Sequence, residues 1–265
     1  MKQDAHIHSP FCPHGTKDAF ELYIEKAIQH GFTDISFTEH APAPHGFIDS
    51  VPTRDSFLKY NFIEPYIFEL QQLKKQYAHD ISIKIGLEVD FIEGFEKETT
   101  QLLNDIGSSL DDSILSVHFL LYEKNYTCID YSSQSFINFS EQLGSFESVY
   151  SLYYKTVQKS ISADLGKYKP KRIGHPTLIH KFQHAHDALV DDHEMIENTL
   201  KLMKDRHYEL DVNSAGLAKQ YCLEPYPPQR YILMAKEMGI PLVFGSDAHR
   251  AEDLHQYYDK VYNDK

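Results

Sequence analysis

The chain is poor in cysteine, in positive charge and in long apolar runs, and each shortage removes a class of explanation. Its 265 residues hold three cysteines, Cys12, Cys128 and Cys222. They are odd in number and far apart, which argues against a disulfide framework and predicts reduced thiols in a cytoplasmic protein. No apolar run approaches the roughly 18 residues of a membrane span. The opening MKQDAHIH lacks the apolar stretch of a secretory signal. Lysine and arginine number 26 against 39 acidic residues, for a net charge of −13. A basic footprint for nucleic acid is therefore missing, and an anionic membrane surface is disfavoured too. A small anion bound against this background needs local positive charge, which metal ions can supply. Internal repeats, low-complexity segments and Gly/Ser linkers are also missing, so one domain over 1–265 is expected.

What is present is a 42% hydrophobic chain, enough for a large core, with two alternating periodicities. Short β-rich runs stand at 3–6, 33–38, 81–89, 113–118, 171–175, 208–213 and 241–246. Helical stripes stand between most of them, at 17–30, 61–78, 145–165, 192–206 and 228–238. Gly31 and Gly239 fit C-terminal caps and Ser145 an N-cap, while Pro65 limits the start of the second helix. Residues 41–60 read as a long loop and 119–144 as less regular. Strands alternating with helices predict a parallel sheet with right-handed crossovers, either doubly wound or closed into a barrel.

The ends of these strands carry the chemistry. His6 and His8 alternate across one strand face, and Glu39-His40, Glu88 with Asp90, His118, His175, Asn213, and Asp247 with His249 follow at successive strand ends. In a β/α barrel the C-terminal strand ends share one face, where active sites lie. Together with His14, these histidines and carboxylates without cysteine suit Zn, Fe or Mn. Their number exceeds what one ion takes, and multi-metal sites are typical of phosphoryl-ester hydrolysis. Most of the remaining histidines read as solvated surface. His184 and His186 repeat the alternating spacing without a strand around them.

The segments HIHSPFCPHG, FTEHAP, GLEVDFIEG, SVHF, IGHP, DVNSAG and GSDAH together resemble the PHP (polymerase and histidinol phosphatase) superfamily, in its histidinol-phosphate phosphatase branch. The resemblance runs from position 6 to 249. It implies an α/β fold, a distorted, TIM-barrel-like (β/α)7 barrel, and three divalent metal ions. The first ion would take His6, His8, Glu88 and Asp247. The second would take Glu88, His118 and His175, with Glu88 as the bridge. The third would take His14, His40 and His249. The implied reaction is hydrolysis of L-histidinol phosphate to L-histidinol and phosphate, in histidine biosynthesis, by a metal-bridging hydroxide attacking phosphorus. Glu88, Asp247 and His249 would carry the catalysis, with Asp247 able to orient the hydroxide or move its proton. Glu39 and Asn213 would stand behind the ligands.

For the phosphate, Lys181, Lys219, Arg230 and Arg250 are the nearest cations in sequence. Some relatives place arginine just after IGHP and NxAG, where this chain reads LIHK and LAKQ. Asp90 and Glu93 are candidates for pairing with the substrate's cation. The alternative within the same fold is a phosphoesterase for another small phosphate ester or nucleotide. A nuclease or proofreading module is disfavoured by the charge. A non-catalytic metal-binding protein is disfavoured by the complete ligand set.

Overall fold

The computed structural model describes residues 2–263. Its elements run β1 Gln3–Ile7, α1 Phe20–Gln29, β2 Asp34–His40, α2 Tyr60–Gln76, β3 Ser82–Asp90, α3 Glu96–Ile106, β4 Asp112–Ser116, β5 Phe119–Tyr122, β6 Asn125–Cys128, α4 Ser133–Leu143, α5 Phe146–Ser162, β7 Arg172–Ile173, α6 His193–Asp205, β8 Glu209–Asn213, α7 Gln229–Glu237, β9 Leu242–Gly245 and α8 Tyr258–Asn263. Seven strands form one parallel sheet in the order β1-β2-β3-β4-β7-β8-β9. A parallel bridge from Ile7 to Ala248 and the Asp247 N–H donating to the His6 carbonyl at 2.8 Å bring the two edges together. The barrel is thereby nearly closed, which is the one of the two arrangements left open by the strand patterns that the family resemblance implies.

Local sequence explains the elements. Helix α1 turns Phe20, Tyr23, Ile24 and Ala27 to the sheet, and Gly31, at φ +73°, lets the chain reverse into β2. Ser145 caps α5 by accepting from the Ser148 N–H at 3.1 Å. Pro65 lies inside α2 rather than at its edge. It stands in the second turn, where its missing N–H removes only the bond to the Asn61 carbonyl. The large side chains Tyr23, Tyr66, Tyr153, Tyr154 and Tyr231 are fully buried, so much of the aromatic content is core.

Three features depart from the expectation. Strands β4, β7 and β9 stop two residues before His118, His175 and Asp247. Positive φ at His175 (24°) and Asp247 (53°) breaks the extended backbone there, so these groups begin the loops of the C-terminal face. In β1 the register slips between Asp4 and Ile7; an extra residue of this kind re-aims side chains beside active sites. Residues 119–128 form a separate antiparallel hairpin, β5–β6. Phe47, from the long loop 41–59, packs between Phe57, Phe95, Phe119 and Tyr126. That cluster anchors the loop over the hairpin as a wall above the barrel mouth. Among the described residues no helix is long and apolar enough to cross a membrane.

Candidate metal centre and active site

Glu88 is the hub of the barrel mouth. Its Oε1 lies 2.8 Å from His175 Nε2, 3.6 Å from His6 Nε2 and 3.7 Å from His118 Nε2. Its Oε2 lies 3.2 Å from His40 Nδ1 and 3.5 Å from His8 Nε2. The Ser116 hydroxyl donates to Oε1 at 2.7 Å. Asp247 stands opposite, with Oδ1 3.2 Å from His8 Nε2 and 3.7 Å from His6 Nε2. The Asn213 amide donates to its Oδ2 at 3.2 Å. Thus residues from all seven strand ends converge, as their positions in sequence predict.

Three of the imidazoles are oriented the same way. Asp211 holds His6 Nδ1 at 2.9 Å, Glu39 holds His8 Nδ1 at 3.2 Å and Asp90 holds His118 Nδ1 at 2.8 Å. A carboxylate on Nδ1 fixes the tautomer and leaves Nε2 free as a ligand atom. Each Nε2 faces Glu88. Glu39 is itself fixed by the backbone N–H groups of Ser9 and His40, at 2.9 Å each, and by the Ser9 hydroxyl. Asp211 was missed in the sequence, although it lies two residues before Asn213 on the same face of β8. It also accepts from the His175 N–H at 3.1 Å. Gly245 makes room for this pair, since a Cβ there would come within 2.5 Å of His6 Cβ and 2.4 Å of Asp211 Oδ1. Asp211→Asn should weaken metal binding about 10- to 100-fold while preserving far-ultraviolet circular dichroism. Unchanged affinity in a metal titration would refute the orienting role.

The electrostatics of the site couple its carboxylates to its imidazoles. Burial pushes the Glu88 and Asp247 carboxyls up, yet the imidazoles around them, His6 foremost, hold both well below the usual range. Burial disfavours charge on His6 and His40, but neighbouring acids raise His6 to about 10, and Cys12 with Glu88 raises His40 to about 10. His6 Nε2, His8 Nε2 and both ring nitrogens of His40 are buried without a hydrogen-bond partner. Orphaned buried nitrogens facing buried carboxylates are costly unless a cation lies between them.

The donor atoms group accordingly. His6, His8 and Glu88 form one set within 4.8 Å, His6, His175 and Asp247 another, and Glu88, His118 and His175 a third. A fourth contains His8, Cys12, His40 and His249. The residues therefore fit bound metal ions. His14 lies at the rim, its ring 4.9 Å from those of His40 and His249, with Nδ1 2.9 Å from the Asp55 carbonyl. Cys12 is the second group that sequence reading overlooked. Burial raises its thiol, but His14, His40 and His8 pull it down to about 4.

A cavity of about 660 Å³ opens above this cluster. Of the cations predicted to meet phosphate, Lys181, Lys219 and Arg250 line it. Arg230 does not: it is exposed on α7, stacked over Tyr231. Lys181 is paired to Asp130 at 2.9 Å and Arg250 to Asp253 at 2.7 Å. Asp90 lines the cavity but is engaged by His118. Glu93 lies outside it, paired to Lys159.

The histidines outside the mouth are not all surface groups. His255 is buried against Asp4 and Phe32, and His180 is buried beside Lys181. Its Nδ1 meets Glu224 and its Nε2 meets Asp192, both at 2.7 Å. Burial lowers His180, but Asp192 and Glu224 outweigh it and raise the group from 6.5 to about 9. Its contribution to stability is full below 6.5 and is lost as pH rises through about 9. The shift corresponds to about 3 kcal/mol. Denaturant unfolding across that window should show this alkaline loss, and His180→Gln should flatten it. An equally steep loss in the variant would refute the assignment.

Comparison with known proteins places this geometry. The model of the PHP domain matches residues 4–215. A histidinol-phosphatase of Bacillus subtilis (strain 168) is 45% identical over 261 residues, covering 98% of this chain and 97% of that one. A crystal structure from Listeria monocytogenes, of a protein assigned by name to the histidinol phosphatases, superposes with a TM-score of 0.91 at 37% identity. The match covers 98% of this chain and 99% of the other. A Lactococcus lactis histidinol phosphate phosphatase, solved with zinc, L-histidinol and phosphate, superposes with a TM-score of 0.70 at 20% identity, over 99% of this chain and 93% of the other. At that identity it speaks for the fold alone.

Proposed function

The chain belongs to the PHP domain family, and from that premise we propose that it is a histidinol phosphatase, hydrolysing L-histidinol phosphate to L-histidinol and phosphate with three divalent ions. The observation that carries the reading is the convergence of Glu88, Asp247 and six histidines beneath a cavity of about 660 Å³, in a chain 45% identical to a histidinol-phosphatase. A single PHP-type domain and a cytoplasmic setting, matching three buried free thiols, complete it.

The ions, when bound, supply positive charge for the phosphate and activation of water near neutral pH. His6, His8 and Asp247 would hold one and His118 and His175 a second, with Glu88 contributing to both. His14, His40 and His249 would hold the third. The rest is work for the chain's own groups. Asp247, fixed by Asn213, lines the cavity, where it can take up or pass on a proton. Lys181 and Lys219 offer charge to the phosphate from the cavity wall. The partner is a small phosphate ester carrying a cation, which Asp55 on the wall, a carboxylate that accepts from the Thr53 hydroxyl, can meet. Asp130 keeps Lys181 charged and aimed.

The test is phosphate release by the metal-loaded chain from L-histidinol phosphate, p-nitrophenyl phosphate and several nucleotides. The proposal expects kcat/KM for histidinol phosphate to exceed the others by about 10²-fold or more, a discrimination typical of buried polar recognition. Equal rates on all substrates would keep the chemistry and remove the substrate.

A further inference from the structure

We propose that Cys12 is a metal ligand, its sulfur joining His40 and His249 around one of the ions, so that this position is a mixed sulfur–nitrogen site. The inference rests on the metal-dependent reading above and adds a donor to it. The donor atoms of Cys12, His40, His249 and His8 all lie within 4.8 Å of one another. Ligands about 2.0–2.3 Å from a tetrahedral ion stand roughly 3.3–3.8 Å apart, inside that span. His8 is also called on by the neighbouring ion, through the Nε2 that faces Glu88 and Asp247. Cys12 therefore supplies the donor that His40 and His249 would otherwise lack on the interior side.

The independent observation is His40. Its side chain is nine-tenths buried, and its Nε2 has no hydrogen-bond partner. An imidazole nitrogen kept dry and unpaired beside a sulfur is what a bound ion would satisfy.

The loop around Cys12 is built to aim it inward. The Cys12 N–H donates to the Ser9 carbonyl at 3.0 Å, and the Thr16 N–H to the His249 carbonyl at 3.0 Å. The Lys17 ammonium donates to the carbonyls of Pro10 and Cys12 at 2.9 and 2.7 Å. Gly15 closes the turn, where a Cβ would lie 2.9 Å from the His249 carbonyl and 3.0 Å from Cys12 Cβ. The thiol is fully buried, so it faces the cluster and not solvent. The thiolate forms the bond to the ion. A thiolate also biases this position toward zinc or ferrous iron over manganese.

The test uses cobalt(II) loaded into the full chain and its absorption in the near ultraviolet, where sulfur-to-cobalt charge transfer appears. The wild-type chain should show that band, and Cys128→Ser and Cys222→Ser should keep it. Cys12→Ser should lose the band and bind its weakest ion about tenfold or more less tightly. Cys12→Asp should restore occupancy without the band, which separates ligation from folding. Cobalt bound by the wild-type chain with no such band, or a band that survives in Cys12→Ser, overturns the inference alone. A wild-type chain that binds no cobalt overturns this inference and the metal-dependent reading together.

Discussion

Replacing Glu88 by glutamine is expected to lower turnover by on the order of 10³-fold and to remove at least one metal ion, with the fold retained. One carboxylate serves two directions here. Oε1 faces His175, His6 and His118, and Oε2 faces His40 and His8. Glutamine keeps the volume but exchanges one acceptor oxygen for an NH2 donor and removes the charge. An NH2 pointed at orphaned imidazole nitrogens cannot bridge two cations. The backbone of β3 is held independently, paired along its length with β2 and β4, so the loss should appear in metal content and rate and not in circular dichroism. A Glu88→Gln chain with full metal content and near-wild-type turnover would contradict the bridging role.

Asp247→Asn should be the second largest effect, about 10²- to 10³-fold in kcat with a smaller change in KM. Asp247 differs from Glu88 in being partly open to the cavity, with its side chain 16% exposed against 1% for Glu88. It is therefore placed to meet both a metal ion and the reacting water. Asparagine preserves the shape next to Asn213 but cannot accept a proton, so the acidic arm of the pH–rate profile, where a carboxylate base is lost by protonation, should change form as well. Equal losses in kcat and metal content, with an unaltered profile, would reduce Asp247 to ligation alone.

Much of this site could be read from the chain because its groups lie at strand ends in a fold whose C-terminal strand ends share one face. His6, His8, Glu88, His118, His175 and Asp247 needed only that rule. Asp211 and Asp90 were harder to assign. Their position on inward faces was visible, but whether a carboxylate holds a histidine or a substrate depends on distances between β1 and β8, or β3 and the loop after β4. Cys12 reads in the sequence only as one of three reduced thiols; the packing of the 9–16 loop against His249 is what brings it to His40. Arg230 and Glu93 were nominated by closeness in sequence, which says nothing about which side of α7 or of the loop after β3 faces the cavity. The β5–β6 hairpin escaped notice because its turn, Glu123-Lys124, lacks the Asn-Gly or Gly signal of such turns, although Glu123 adopts φ 55°. Helix α3 buries only Thr99, Leu102 and Leu103, too thin a stripe to stand out.

The measurement closest to the central claim is a direct count of metal ions per chain, by elemental analysis of the loaded, desalted protein beside its Glu88→Gln variant. The account predicts three ions in the wild-type chain and a loss of one or more in the variant. A wild-type chain that retains none, or a variant that retains as many as the wild type, would contradict it.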